Sequence, residues 1–134
     1  MITLTKDMET GIAKIDGQHK ELINRLNEIT SMGVKAISNE ETQKTLLLLE
    51  KYIHKHFGDE EALQKQSGYP KYEWHKGQHQ IYVADFEKLR REFAINGHSA
   101  KFTLDLNNSI ISWIVRHIKS VDVEFGKYYN EHAK

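Results

Sequence analysis

A chain of 134 residues has the length of one domain, and its 39% hydrophobic content supplies one core, while apolar runs such as Leu46 to Leu49 fall far short of the roughly 20 residues of a membrane span. Nineteen basic and nineteen acidic residues give zero formal charge, and the densest basic stretch (Lys88, Arg90, Arg91) is flanked by Glu87 and Glu92, which excludes the one-sided basic footprint of a nucleic-acid binder. The absence of cysteine removes disulfides, thiolate metal sites and thiol nucleophiles, and with a polar, mixed-charge start from Met1 to Gly11 in place of a secretory signal, the expected location is the cytoplasm.

The predicted elements are all helical, because apolar residues recur at helical spacing in four stretches and the one proline, Pro70, lies between two of them. An extended arm precedes the first helix, which opens at Asp16 as N-cap and runs past Gly33 to Ile37. Its stripe is Leu22, Ile23, Leu26 and Ile29, with His19 on the same face. The second helix opens at Ser38, where Glu41 completes a Ser-x-x-Glu capping box, and closes at Gly68. Its seam, Leu46, Leu49, Ile53, His56, Glu60 and Leu63, alternates steps of three and four. The third starts near Lys71, carries Tyr72, His75, His79, Tyr82, Phe86, Leu89 and Phe93, and ends at Asn96-Gly97. The fourth runs from Ser99 to Tyr129 with Phe102, Leu106, Ile110, Trp113 and His117 on its seam. Four helices with short links predict a single all-α domain over residues 1–134: an up-down-up-down antiparallel four-helix bundle with an N-terminal extended arm.

Eight histidines is a high count, and five of them interrupt the seams: His19, His56, His75, His79 and His117, together with Glu60. A lone polar group in a core costs about 2–7 kcal/mol unless partnered. Each intrusion is a defect by itself, whereas a shared metal cluster partners them all. His56 and Glu60 are i,i+4, as are His75 and His79, so each pair leaves one helix face a turn apart. His117 and Asp122 are five apart, about 140° on an ideal helix. A π-bulge between them would bring Asp122 round to the seam. Five imidazoles and two carboxylates then suggest an arithmetic. Both carboxylates and an oxygen from water bridge two metals, three histidines complete one metal, and two leave the other with an open position. Such donors suit iron, zinc, manganese or copper alike.

From Gly11-Ile12-x-x-Ile15-Asp16-x-Gln18-His19-Lys20 to His117-Ile118-x-x-x-Asp122, nearly the whole chain resembles a haemerythrin of the single-domain bacterial kind, with a match for all seven family ligands: His19, His56, Glu60, His75, His79, His117 and Asp122. The resemblance implies two non-haem iron ions joined by a bridging oxo or hydroxo group. In this scheme His75, His79 and His117 bind the saturated iron, His19 and His56 bind the iron with the open site, and Glu60 and Asp122 bridge. It further implies reversible dioxygen binding without turnover, for storage, transport or sensing, in a dry pocket walled by Trp113, Ile114 and Ile118. Relatives often carry a tryptophan in the arm where this chain has Leu4 or Thr5.

The other polar residues near these motifs read as bland. His54, His98 and His132, and Asp59 and Glu61 beside Glu60, are expected in solvent. Trp74 either packs over the site or caps a helix start, and Tyr72 or Tyr82 either supports a ligand or fills the core. The competing function is a di-iron enzyme: an oxidase, or one that handles peroxide or nitric oxide. Against it, ferritin-like di-iron enzymes use carboxylate-rich sites with Glu-x-x-His motifs, and this chain has His-x-x-x-Glu and two carboxylates.

Overall fold

The computed structural model describes residues 2–34 and 38–132, in which all regular structure is helical. Three long helices, α1 (Ala13–Val34), α2 (Asn39–Ser67) and α3 (Tyr72–Asn96), precede a C-terminal helix that changes its winding four times. That last helix is α over Ala100–Asp105, π over Leu106–Ile111, α over Ser112–Arg116, π over His117–Asp122 and α over Val123–His132. Each long helix packs on the next in chain order, and the Val123–His132 segment also meets α2 across the bundle. The expected continuation of the first helix to Ile37 lies outside the described residues.

Helix ends fall where side-chain chemistry dictates. Ser38 accepts from the Glu41 amide and Ser99 from the Phe102 amide, so each supplies an acceptor for an amide with no partner within its helix. Gly68 takes φ 67° at the end of α2, a left-handed position that a side chain disfavours. The start of α1 is a correction: it begins at Ala13, three residues before Asp16. Asp16 sits in the first turn and reaches back, Oδ1 accepting from the Thr10 amide and hydroxyl at 2.8 Å and Oδ2 from the Gly11 amide at 3.2 Å. The carboxylate thus ties the arm to the helix rather than capping it in the usual position.

The arm runs back alongside α1, from Asp16 at Thr10 to Asn27 at Ile2, and meets the C-terminal helix through Asn130. Met8 and Thr10 are buried, Leu4 packs at the core margin and Thr5 faces solvent. Asn27 clamps the Ile2 backbone, accepting from its amide at 2.9 Å and donating to its carbonyl at 2.8 Å. The main apolar core runs through Leu22, Leu26, Leu46, Ile53, Tyr82, Phe86, Ile110, Ile114 and Ile118. A second, smaller cluster is Ile12, Ile15, Tyr69 and Phe125, drawn from the starts of α1 and the last α segment and from the α2–α3 link. The seven polar intruders are each at most 4% exposed.

Candidate metal centre

All seven predicted donors converge. One atom from each of Glu60, His75, His79, His117 and Asp122 lies within 4.8 Å of the others, and the same holds for His19, His56, Glu60 and Asp122, so the two sets share both carboxylates. His75 Nε2 is 2.9 Å from Asp122 Oδ1 and 3.2 Å from Glu60 Oε1. His79 Nε2 is 3.1 Å from Glu60 Oε1, His117 Nε2 is 3.1 Å from Asp122 Oδ1, and His19 Nε2 is 2.9 Å from Asp122 Oδ2. The His75 and His117 Nε2 atoms face each other at 3.0 Å.

Asp122 reaches this position through the His117–Asp122 π-turn, the bulge that the five-residue spacing suggested. The π-turn over Leu106–Ile111 was not anticipated, and it corrects the seam. A π-turn takes more residues than an α-turn, so the buried register becomes Phe102, Leu106, Ile110, Ile114 and Ile118, in steps of four. Ile114 therefore takes the core place expected of Trp113, which is half-buried. The carbonyl of Ile110 at the end of this turn accepts from the Tyr82 hydroxyl at 3.1 Å.

The cluster leaves its own polar atoms unpaired. His19 Nε2, His56 Nε2, His79 Nε2, both Glu60 oxygens and Asp122 Oδ1 are buried without a hydrogen-bond partner. Short separations without hydrogen-bond geometry are what lone pairs aimed at a shared cation produce. Each such atom left unpaired costs about 1–3 kcal/mol, so the residues fit a bound metal and fit poorly with none.

Electrostatics point the same way. Burial opposes charge on His75, but the Asp122 and Glu60 carboxylates outweigh it and push its pKa up to about 9. Burial is likewise overcome at His19 by Asp122, and at His79 by Glu60 and Glu61, so both are raised. Burial and the neighbouring His19 lower His56 to about 4, and burial above all lowers His117. Burial also works against Glu60 and Asp122 as anions, yet the surrounding imidazoles hold both below the usual carboxylate range. The two shared ligands are therefore anionic at neutral pH.

Outside the donors stands a ring of partners that the periodicity did not reveal. Glu61, expected in solvent, accepts from His79 Nδ1 at 2.7 Å. Asp59, also expected in solvent, accepts from Gln18 Nε2 at 2.8 Å, and Gln18 Oε1 accepts from His56 Nδ1 at 2.7 Å. Gln64 lies 2.6 Å from His75 Nδ1, and its other amide atom is buried and unpaired. The orientation with the Gln64 oxygen accepting from Nδ1–H satisfies this contact and frees His75 Nε2 as a ligand. One sequence signal did exist: Gln64 continues the four-residue step of His56 and Glu60, and it is buried where the adjacent Leu63 is half-buried.

The remaining predicted residues divide. Ile114 and Ile118 are buried in the main core. Trp113 stacks on His117 (centroids 4.5 Å, 12° between planes) and on Tyr82 (4.5 Å, 22°), and borders an outer groove with Arg116 and Ser120. Trp74 is 51% exposed, so it does not cover the site. His54, His98 and His132 are exposed, as expected, although His98 Nε2 lies 3.0 Å from the Thr42 hydroxyl. No described helix is long and apolar enough to cross a membrane.

The fold has counterparts among solved structures, and the sequence has relatives. A crystal structure of wild-type hemerythrin superposes with a TM-score of 0.81 at 25% identity, covering 95% of this chain and 96% of that one. The bacteriohemerythrin of Campylobacter jejuni strain 81-176 is 32% identical over 124 residues, covering 90% of this chain and 89% of that protein. The bacteriohemerythrin of Methylococcus capsulatus strain Bath is 28% identical, with 87% of each chain covered. The family described as hemerythrin HHE cation binding domain matches residues 10–128, a span that includes all seven donors, and the chain belongs to the hemerythrin family.

Proposed function

We propose that this protein binds dioxygen reversibly at a non-haem di-iron centre with a bridging oxo or hydroxo group, and that it serves as an oxygen store, carrier or sensor in the cytoplasm. The observation that carries this reading is the unequal division of donors: five groups in one set and four in the other, with Glu60 and Asp122 common to both. The five-donor set would hold one ion more completely than the four-donor set of His19, His56, Glu60 and Asp122 would hold the other, which favours ligand access beside His19 and His56. The names of the relatives, bacteriohemerythrins, agree with it.

When bound, two ferrous ions would supply the two electrons that reversible dioxygen binding needs. The chain's own residues do the rest. Glu60 and Asp122, common to both donor sets, would hold the two ions. Gln18 fixes the tautomer of His56, and Gln64 and Glu61 fix those of His75 and His79, leaving Nε2 of each free to ligate. His19 is held edge-on against His56, with ring centroids 4.8 Å apart. Ile114 and Ile118 add apolar surface that excludes water, and with it the protons that would drive irreversible oxidation.

Binding is favoured over turnover because five imidazoles and two carboxylates carry little negative charge to stabilise highly oxidised iron. The test is anaerobic titration with ferrous iron, then air, then argon, followed by visible absorption. Two irons per chain with a charge-transfer band that rises in air and fades under argon is the expected result. Prompt irreversible oxidation, or sustained dioxygen consumption with a reductant, would move the assignment to a di-iron enzyme.

A further inference from the structure

We propose that Glu50 and His54 of α2, with Glu87 of α3, form an outer site for a divalent transition-metal cation that feeds the central cluster. The feeding role rests on the metal-centre reading above. One ligand atom from each of the three residues lies within 4.8 Å of the others. Glu50 and His54 are one helical turn apart and project from one face, and Glu87 meets them from the facing helix. Glu50 is 7% exposed, and Arg90 Nε engages its Oε1 at 2.6 Å, which orients the carboxylate and leaves Oε2 as a ligand. Two carboxylates against one guanidinium leave a net negative charge, and the imidazole adds a nitrogen donor that favours transition metals over calcium or magnesium. Three protein ligands with water completing the shell make a labile site suited to transfer rather than permanent storage.

The second observation is a groove of about 410 Å³ between α2 and α3 whose lining includes two of the three residues, His54 and Glu87. Along α2 the lining runs from His54 through Phe57 to Glu61 and along α3 from Glu87 through Val83 back to His79, so Glu61 and His79 stand at the end away from His54 and Glu87. His54 and Glu61 are two helical turns apart, roughly 10 Å. The central donors are buried to within 4% of complete enclosure, so an ion must enter past a partly exposed group. Glu61 is such a group: its side chain is 20% exposed and its carboxylate already touches His79 Nδ1. Lys76 lines the same end, which disfavours a resting ion beside Glu61 and leaves the outer cluster as the place where a cation waits.

The experiment has two arms, both on the full chain and both read without oxygen binding. In the first, protein carrying two irons is titrated with Co(II) by equilibrium dialysis. One additional ion per chain is expected, with affinity lowered about tenfold or more in His54→Ala and in Glu87→Gln, while the iron content stays at two. In the second, metal-free protein is mixed with limiting Co(II), and filling of the centre is followed by stopped-flow absorption; the same variants should load several-fold more slowly and reach the same endpoint. A third ion unaffected by both substitutions, or no third ion in protein that holds its two irons, overturns the outer site alone. Equal loading rates in all three proteins overturn the feeding role. Wild-type protein that holds no central metal overturns the feeding role together with the reading beneath it.

Discussion

Glu61 Oε2 accepts a hydrogen bond from His79 Nδ1 at 2.7 Å, and the His79 ring lies parallel to Phe57 at a centroid distance of 3.7 Å. The imidazole is fixed in both tautomer and tilt, and the carboxylate raises its basicity as a ligand. Glu61→Gln keeps an acceptor but removes the charge, so metal retention should fall about 10-fold, and Glu61→Ala should fall nearer 100-fold. Competition with a chelator of known affinity measures both. Retention equal to wild type would remove Glu61 from the support of the centre.

Glu60 and Asp122 each belong to both donor sets, so removing either takes a ligand from two positions at once. Glu60→Ala or Asp122→Ala should lower tightly held metal from two ions per chain to one or none, whereas a variant of one unshared histidine, such as His19→Ala, should spare the other position. Metal analysis after gel filtration separates these cases. Two ions retained in Asp122→Ala would show that the π-turn does not present a ligand.

The metal-free protein should have a stability maximum near neutral pH. His75 rises from 6.5 to about 9 on folding, so its proton contributes stability that is complete below pH 6.5 and is lost as pH rises through about 9. His56 falls from 6.5 to about 4, and its contribution is present above pH 6.5 and lost as pH drops through about 4. Glu60, also lowered, loses its contribution on the acid side. Denaturant midpoints across pH 4–10 check the shape. Metal uptake at pH 7 must displace the His75 proton, so calorimetry in buffers of different ionisation enthalpy should show proton release. A binding heat independent of the buffer would contradict the raised pKa.

Two kinds of helical glycine should behave oppositely. A Cβ on Gly126 would sit 2.2 Å from the Thr10 carbonyl oxygen and 2.8 Å from its Cα, so Gly126→Ala must push the arm off the C-terminal helix. A loss of about 1–3 kcal/mol is expected, with faster proteolysis of the arm. At Gly17 and Gly77 a Cβ meets nothing within 4 Å, and alanine should add about 0.5–1 kcal/mol each by helix propensity. Thermal melts of the three variants decide it, and a stabilised Gly126→Ala would mean that the arm is not seated against that helix.

Much of this protein was legible from residue spacing alone. The helices, the caps at Ser38 and Gly68 and the seam placement of His19, His56, Glu60, His75, His79 and His117 follow from local rules, because a helix repeats every 3.6 residues and a buried polar group demands a partner. Even the π-turn before Asp122 could be anticipated, since His117 and Asp122 cannot share a face otherwise.

Only the tertiary structure decided the rest. The π-turn at Leu106–Ile111 is a change of backbone pairing with no residue type to announce it, and it exchanged Trp113 for Ile114 in the core. Asp16 became a tie to Thr10 because the arm folds back over the start of α1. Glu61 and Asp59 looked like solvent-facing residues on their own helix, and Gln18 had no assigned role; all three act by reaching a neighbour, which depends on how two helices are rotated about each other. Periodicity reports which face of a helix is buried. Rotation and crossing between helices determine what the flanks of that face can touch, and these are set when the whole bundle packs.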